Sequence, residues 1–196
     1  MSYRIPKYNN QLTCFAIWQN GFSEEEIEKI RFLKDLQEFS AGKVGNEGTP
    51  ENLAVRNSEV AWLHPNQDTD WLFSKLRWII SKVNTDHFMY DIEVMDAIQY
   101  TKYGIGQHYN WHWDVEFGWQ DFQRKISIVM VLNDPSEYDG GEFEICTHGN
   151  IEQITTIKPN KGDVICFASW MPHRVKPVTS GERTSLVSWI RGKRES

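Results

Sequence analysis

The chain has 196 residues, of which 40% are apolar and 24% charged, with nine tryptophans and a formal charge of −6. That length suits one domain able to bury its own core, and the acidic balance gives no support to a nucleic-acid partner, whose phosphates select a basic stripe. No apolar run reaches membrane-spanning length and no basic-flanked leader stands out, so neither a membrane nor a secretory route is expected.

Three cysteines, Cys14, Cys146 and Cys166, fall in no CxxC spacing and point to a reducing, cytoplasmic setting without structural zinc. The one basic cluster, the tail RGKRES, reads as a solvated end. Ser23, with Glu26 three residues on, forms a capping box, and Ile27, Ile30, Leu33 and Leu36 follow at helical spacing. This predicts a helix from about Glu24 to Phe39. The glycine-rich AGKVGNEGTPEN has no periodicity and reads as a mobile loop. In TDWLFSKLRWIISKVN, a second helix places Trp71, Leu72, Leu76, Ile79, Ile80 and Val83 on one face, and both helices can cover one side of a sheet.

From Phe88 the period changes to two, with Phe88, Tyr90, Ile92 and Val94 alternating with Met89, Asp91 and Glu93, which predicts a half-buried strand. Eight short strand-like runs follow: IQYTKY, QHYNWHW, KISIVMVLN, GEFEIC, IEQITTIK, GDVICFAS, HRVKPV and TSLVSWI. They are broken by NDPSEYDGG, THGN, PNKG and TSGE. The fold class is therefore mainly β with flanking α-helices, a double-sheet jelly roll or barrel. A single domain is expected over 1–196, with helical support to about residue 87 and a core over about 88–192.

One stretch carries chemistry, QHYNWHWDVEF at 107–117. On a strand His112 and Asp114 share a face and Trp113 takes the other, which makes a two-ligand claw for a metal. An HxD pair alone is weak, since it also suits a structural hydrogen bond. His173, in FASWMPHRVKPV, is the candidate third ligand; His64, His87 and His148 sit in less suitable loop or strand-end positions. His108 has the parity of His112, but four residues along a strand is more than ~13 Å, too far for one ion. Two imidazoles and a carboxylate form the facial triad of non-haem Fe(II) oxygenases, which leaves three adjacent coordination positions open. A 2-oxo acid cosubstrate also needs a cation for its far carboxylate, and Arg183 lies ten residues beyond His173, with Ser185 on the same face. Arg183 read as an ordinary ion-pair residue is the competing explanation.

YGIGQHYNWHWD resembles the pattern Y-x-x-G-x-x-Y-x-x-H-x-D, and GDVICFASWMPHRVKPVTSGERTSLVSWIRG resembles the second half of the same signature. The signature is that of the 2-oxoglutarate and Fe(II)-dependent dioxygenases, in their prolyl 4-hydroxylase-like branch. The resemblance covers roughly 88–192, with a weaker echo in VRNSEVAWL at 55–63. It implies a double-stranded β-helix with iron at its open mouth, held by His112, Asp114 and His173. Arg183 would pair with the C5 carboxylate of 2-oxoglutarate, helped by Tyr103 and Ser185, and Gln99, an even number of residues before Tyr103, is a further candidate for the pocket wall. Tyr103 also suits a buried strand position.

SEYDGGEFEI resembles the family's Y-x-G-G-E turn, and GWQDFQR would join two strands near the mouth. Trp113, Trp119 and Trp170 read either as pocket rim or as packing. Collagen-type members carry lysine where this chain has Arg183, and Ala168 stands where the motif often has proline.

The activity implied is hydroxylation of an unactivated C–H bond, with 2-oxoglutarate and dioxygen giving succinate and CO2 and ascorbate as a candidate reductant. A prolyl residue in a protein or peptide is the favoured substrate, with a free amino acid or other small molecule the alternative. Asp114 argues against the halogenating variant of this chemistry. The absence of a double-arginine motif after His173 argues against nucleic-acid demethylation, because Arg191 and Arg194 belong to the basic tail. A cupin-type metal-binding module is the second class; it has no use for the cation at Arg183.

Overall fold

The computed structural model describes residues 14–35, 37–43, 52–115, 122–147 and 153–193. After strand β1 (Phe15–Trp18), the predicted capping box opens helix α1 (Glu24–Asp35). Ser23 N–H donates to Glu26 Oε2 at 2.8 Å, and Glu26 N–H donates back to Ser23 Oγ at 3.3 Å. The helix does not reach Phe39. Phe39 instead meets Tyr100 edge-on at 6.0 Å, and β2 (Ser40–Ala41) pairs with the sheet, so tertiary pairing ends the helix before its apolar spacing does.

β3 (Arg56–Asn57) and β4 (Glu59–Leu63) lead to α2 (Asp70–Val83). This second helix buries Leu72, Phe73, Leu76, Ile79, Ile80 and Val83, with Trp71 half-buried. Each such side chain contributes about 1.5–3 kcal/mol on full burial.

The alternation beginning at Phe88 is not a strand, which corrects the sequence expectation. α2 continues into a wide π-type turn over Asn84–Phe88, and Met89 takes a left-handed φ of 54°. The Asn84 side chain then clasps Tyr90: its Oδ1 accepts from Tyr90 N–H at 3.0 Å and its Nδ2 donates to Tyr90 O at 2.9 Å. Only β5 (Val94–Met95) joins a ladder. A side-chain amide has taken the backbone partners that a strand would need.

Each run from IQYTKY onward contains a strand. They are β6 (Ile98–Tyr103), β7 (His108–His112), β8 (Phe122–Val131), β10 (Phe143–Cys146), β11 (Ile154–Ile157), β12 (Val164–Ala168), β13 (His173–Val175) and β15 (Arg183–Lys193). The short strands β9 (Tyr138–Gly140) and β14 (Val178–Gly181) pair with each other. The larger sheet runs β1-β12-β8-β15-β6-β4-β2, with β5 also on β15, and the smaller runs β11-β10-β13-β7-β3. The strand pairings are antiparallel, and the result is the expected mainly β jelly roll. The loop expected over 41–52 and the turn THGN fall largely outside the described residues.

Alternation along the larger sheet divides the core in two. Ile126, Ile128 and Met130 of β8, Val164 and Cys166 of β12, and Ile98 and Tyr100 of β6 pack with α1 and α2. Val129, Ile165, Phe167 and Tyr103 point the other way, to Phe143, Ile145 and Val175 of the smaller sheet. β8 therefore reads as a nearly continuous apolar run because both its faces are covered. The inner face also holds what a packed core would avoid: Gln99, Thr101, Ser127, Arg183 and Ser185 are all buried there.

Candidate active site

His112 and His173 are register partners across β7 and β13. Each ring is tied down two residues back in its own chain, His112 Nδ1 lying 2.8 Å from Asn110 O and His173 Nδ1 2.9 Å from Met171 O. A carbonyl can only accept, so both Nδ1 atoms carry the proton and both Nε2 lone pairs face inward. Those Nε2 atoms stand 3.6 and 3.4 Å from the two carboxylate oxygens of Asp114.

Asp114 itself is not on the strand, as the parity argument supposed. β7 ends at His112, and the Asp114 and Val115 N–H groups both donate to Ser169 O at 3.0 Å. This backbone clamp brings the carboxylate to the imidazoles. Ser127 Oγ donates to Asp114 Oδ2 at 2.8 Å and lies 2.9 Å from Ser169 Oγ.

The electrostatics favour a cation between them. Burial, reinforced by the neighbouring His173, pushes His112 down to about 3 and keeps its imidazole neutral. Burial opposes the Asp114 charge, but the facing His173 and His112 rings, the Trp189 indole and the Ser127 hydroxyl outweigh it and hold the carboxyl below its ordinary range. Among the described residues the buried Trp189 indole N–H has no partner within hydrogen-bond geometry. One donor atom from each of the three residues can be chosen so that all lie within 4.8 Å of one another. Two imidazole Nε2 atoms and one carboxylate on one side of an ion fit a divalent metal of the Fe(II) type.

Arg183 starts β15 opposite Tyr103 on β6, its guanidinium 5.7 Å from that ring. It is 1% exposed, donates to Ser185 Oγ at 3.2 Å, and among the described residues has no carboxylate within ion-pair distance. A buried, unneutralised guanidinium is costly unless an anion comes to it. Tyr103 is also buried, which raises its phenol above the usual range.

The turn resembling Y-x-G-G-E makes room for this side chain. Gly141 has φ of 63°, and a Cβ there would come within 3.0 Å of Arg183 Cδ and 3.1 Å of Val178 Cγ2. Gly141→Ala is expected to cost about 1–3 kcal/mol through backbone strain and to raise the KM for a dicarboxylate cosubstrate; unchanged melting and kinetics would contradict this role.

Other expected residues are placed differently. Gln99 points to the inner face, but its Oε1 accepts from Arg56 at 2.7 Å and from Thr101 at 3.2 Å rather than serving Arg183. His108 contacts Gly106 O and Ala54 O at the rim and stays out of the cluster. Trp113 and Trp170 are exposed at 58% and 45%, Trp170 donating to Tyr90 Oη at 3.3 Å. Trp119 and His148 lie outside the described residues.

Sequence reading missed Arg56, Ser127, Ser169 and Trp189. Parity offered a signal for two: Ser127 is a lone hydroxyl on the inward side of an apolar run, and Trp189 follows Arg183 by an even number of residues.

A jelly roll that gathers two histidines and an aspartate has the donor set of a mononuclear non-haem iron site. Residues 98–191 match the sequence model of the 2OG-Fe(II) oxygenase superfamily. A PKHD-type hydroxylase of Pseudoalteromonas atlantica is 35% identical over 97 residues, which covers 47% of this chain and 41% of that relative. The matched part is thus less than half of that relative's length.

Among solved structures, a Pseudomonas putida prolyl-4-hydroxylase superposes with a TM-score of 0.71 at 21% identity, covering 92% of this chain and 93% of that one. A Trichoplax adhaerens prolyl hydroxylase, solved with a hypoxia inducible factor peptide fragment, gives 0.73 at 21% identity over 90% and 83%. At such identities the superpositions show the shared fold.

Proposed function

We propose that the protein is a 2-oxoglutarate- and Fe(II)-dependent dioxygenase that hydroxylates an unactivated C–H bond, with a prolyl residue of a protein or peptide as substrate. The carrying observation is Arg183: a buried cation with no carboxylate partner among the described residues, on the inner face of the jelly roll that also holds the His112, Asp114 and His173 donors, calls for an anionic ligand that reaches both. 2-Oxoglutarate has a carboxylate at each end and suits that span.

His112, Asp114 and His173 would hold the iron, and Arg183, with Ser185 and Tyr103 beside it, would orient the C5 carboxylate; Gln99 would act indirectly, through Arg56. Bound iron supplies the redox chemistry that couples dioxygen and 2-oxoglutarate to C–H hydroxylation, with succinate and CO2 as coproducts and ascorbate as the reductant that keeps the metal ferrous. The chain's own part is positioning. The Nδ1 tethers of both histidines fix their lone pairs, the Ser127–Ser169 pair orients Asp114, and Phe167 and Val129 keep water from the inner face. Exposed Trp113 and Trp170, each next to a residue that builds the metal cluster, would give a peptide segment apolar contact.

The PKHD-type relative and the prolyl hydroxylase neighbours support the substrate class. A single domain spanning 1–196 and a cytoplasmic setting belong to the same reading. Among the described residues Cys14, Cys146 and Cys166 form no disulfide, and no helix is long and apolar enough to cross a membrane.

The test is release of labelled CO2 from 1-14C-2-oxoglutarate with Fe(II) and ascorbate, together with a screen of proline-containing peptides for a gain of one oxygen. Release that rises with a peptide and tracks its oxygen gain is the expected result. A protein that binds Fe(II) yet releases no CO2 above the metal-free control would overturn the reading in favour of a cupin-type module.

A further inference from the structure

β7 does not present its side chains evenly. Opposite β13 it pairs His112 with His173 and Tyr109 with Val175, three steps along one strand against two along the other. In a regular strand Tyr109 and His112 would point to opposite faces. The irregularity turns them to the same side, where their rings stack at 3.4 Å between centroids and 9° between planes.

Arg56 lies on the far side of that tyrosine. It is the register partner of Tyr109 across β3 and β7, with its guanidinium 4.7 Å from the phenol ring centroid. The guanidinium is fixed by three neutral acceptors: Nε donates to Ser58 Oγ at 2.9 Å, Nη1 to Lys43 O at 3.1 Å and Nη2 to Gln99 Oε1 at 2.7 Å. Among the described residues no carboxylate lies within ion-pair distance of it, although the side chain is buried. Its outer face is closed by the backbone at Gly42, where a Cβ would come within 2.6 Å of Arg56 Nε. The order of contacts is thus Gly42, Arg56, Tyr109, His112.

We propose that Arg56 is a positioning residue for the metal centre: wedged between Gly42 and Tyr109, it presses the Tyr109 ring onto His112 and sets the tilt of that imidazole. The Asn110 carbonyl fixes only one edge of the His112 ring, and rotation about that hydrogen bond would swing Nε2 away from Asp114 and His173. A stacked phenol blocks this rotation, and a rigid, planar cation behind it holds the phenol in place. Lysine cannot do the same, because an ammonium has neither the flat face nor the three-way fork that spans Ser58, Lys43 and Gln99.

The inference rests on His112 being a metal ligand, so the test reads metal binding directly, without turnover. Chelator-treated wild type, Arg56→Met, Arg56→Lys, Tyr109→Phe and Tyr109→Leu are titrated with Co(II), following the visible ligand-field bands, and melted without metal. Arg56→Met and Tyr109→Leu are expected to weaken Co(II) binding by roughly 10–100-fold, the usual effect of losing an outer-shell partner of a ligand, and to shift the bands. Arg56→Lys should fall between Arg56→Met and wild type, and Tyr109→Phe should match wild type in affinity and spectrum.

Co(II) binding by Arg56→Met as tight as wild type or tighter overturns the proposal, because a guanidinium that only repelled the metal would give that result. Should Arg56→Met fail to fold, the Tyr109 pair decides: equal affinity of the Leu and Phe variants overturns it. Wild type that binds no Co(II) would instead sink the metal assignment itself, a failure distinguishable from the others.

Discussion

Arg183→Met is expected to make the ligand-free protein more stable and the enzyme nearly inert. Arg183 is almost fully buried, with one hydroxyl and one ring face as its described partners. Replacing a buried, poorly compensated charge by an apolar side chain of similar length is neutral or stabilising, by about 1–4 kcal/mol where measured. At roughly 2–4 °C per kcal/mol for a chain of this size, the melting temperature should rise by a few degrees.

The same substitution removes a charge-assisted fork for a carboxylate, a loss of about 3 kcal/mol, or roughly 100-fold in affinity for 2-oxoglutarate. Differential scanning of both proteins with and without Mn(II) and 2-oxoglutarate measures both effects at once. Wild type should gain about 2.7 kcal/mol at a ligand concentration of 100 Kd, while the variant should gain almost nothing at that same concentration. A variant that melts several degrees lower and still responds to 2-oxoglutarate would mean that Arg183 is structural.

The opposed signs follow from the way the strand is built, which also decides how far the site was legible. Arg183, Ser185 and Trp189 share one parity on β15, so their common face could be read from spacing. His112 and His173 were legible for a different reason: each is an unusual residue in a strand with a required partner chemistry. Asp114 was placed by a parity argument that the structure does not use, since a clamp to Ser169 O, 55 positions later, sets it. The end of helix α1 and the run at Phe88 departed from their apolar periods for different reasons. Phe39 is drawn to the distant Tyr100 by the assembled sheet, whereas at Phe88 a local side chain, Asn84, takes the Tyr90 backbone groups that a strand would use. Arg56 was the least legible, because its partners Gly42, Gln99 and Tyr109 come from three separate strands or strand ends and its role depends on an irregularity in β7.

The paired substitutions His112→Ala and His108→Ala separate the two histidines that the sequence made look alike. His112→Ala removes one of three metal donors and uncovers the face of the Tyr109 ring that His112 stacks on. Co(II) or Fe(II) affinity should fall by more than the roughly 10–100-fold expected for outer-shell losses, and CO2 release should drop to the metal-free background. His108 sits on the same strand four residues earlier, yet among the described residues its ring contacts the Gly106 and Ala54 carbonyls. A strand advances ~3.3 Å per residue, so no rotamer carries that imidazole into the cluster, and His108→Ala should retain wild-type metal affinity and CO2 release. The measurement is isothermal titration with metal followed by turnover at saturating metal. Equal loss in both variants would mean that the strand as a whole, rather than the His112 Nε2 lone pair, supports binding; loss in His108→Ala alone would move the metal to the rim and leave Asp114 and His173 without a shared ligand.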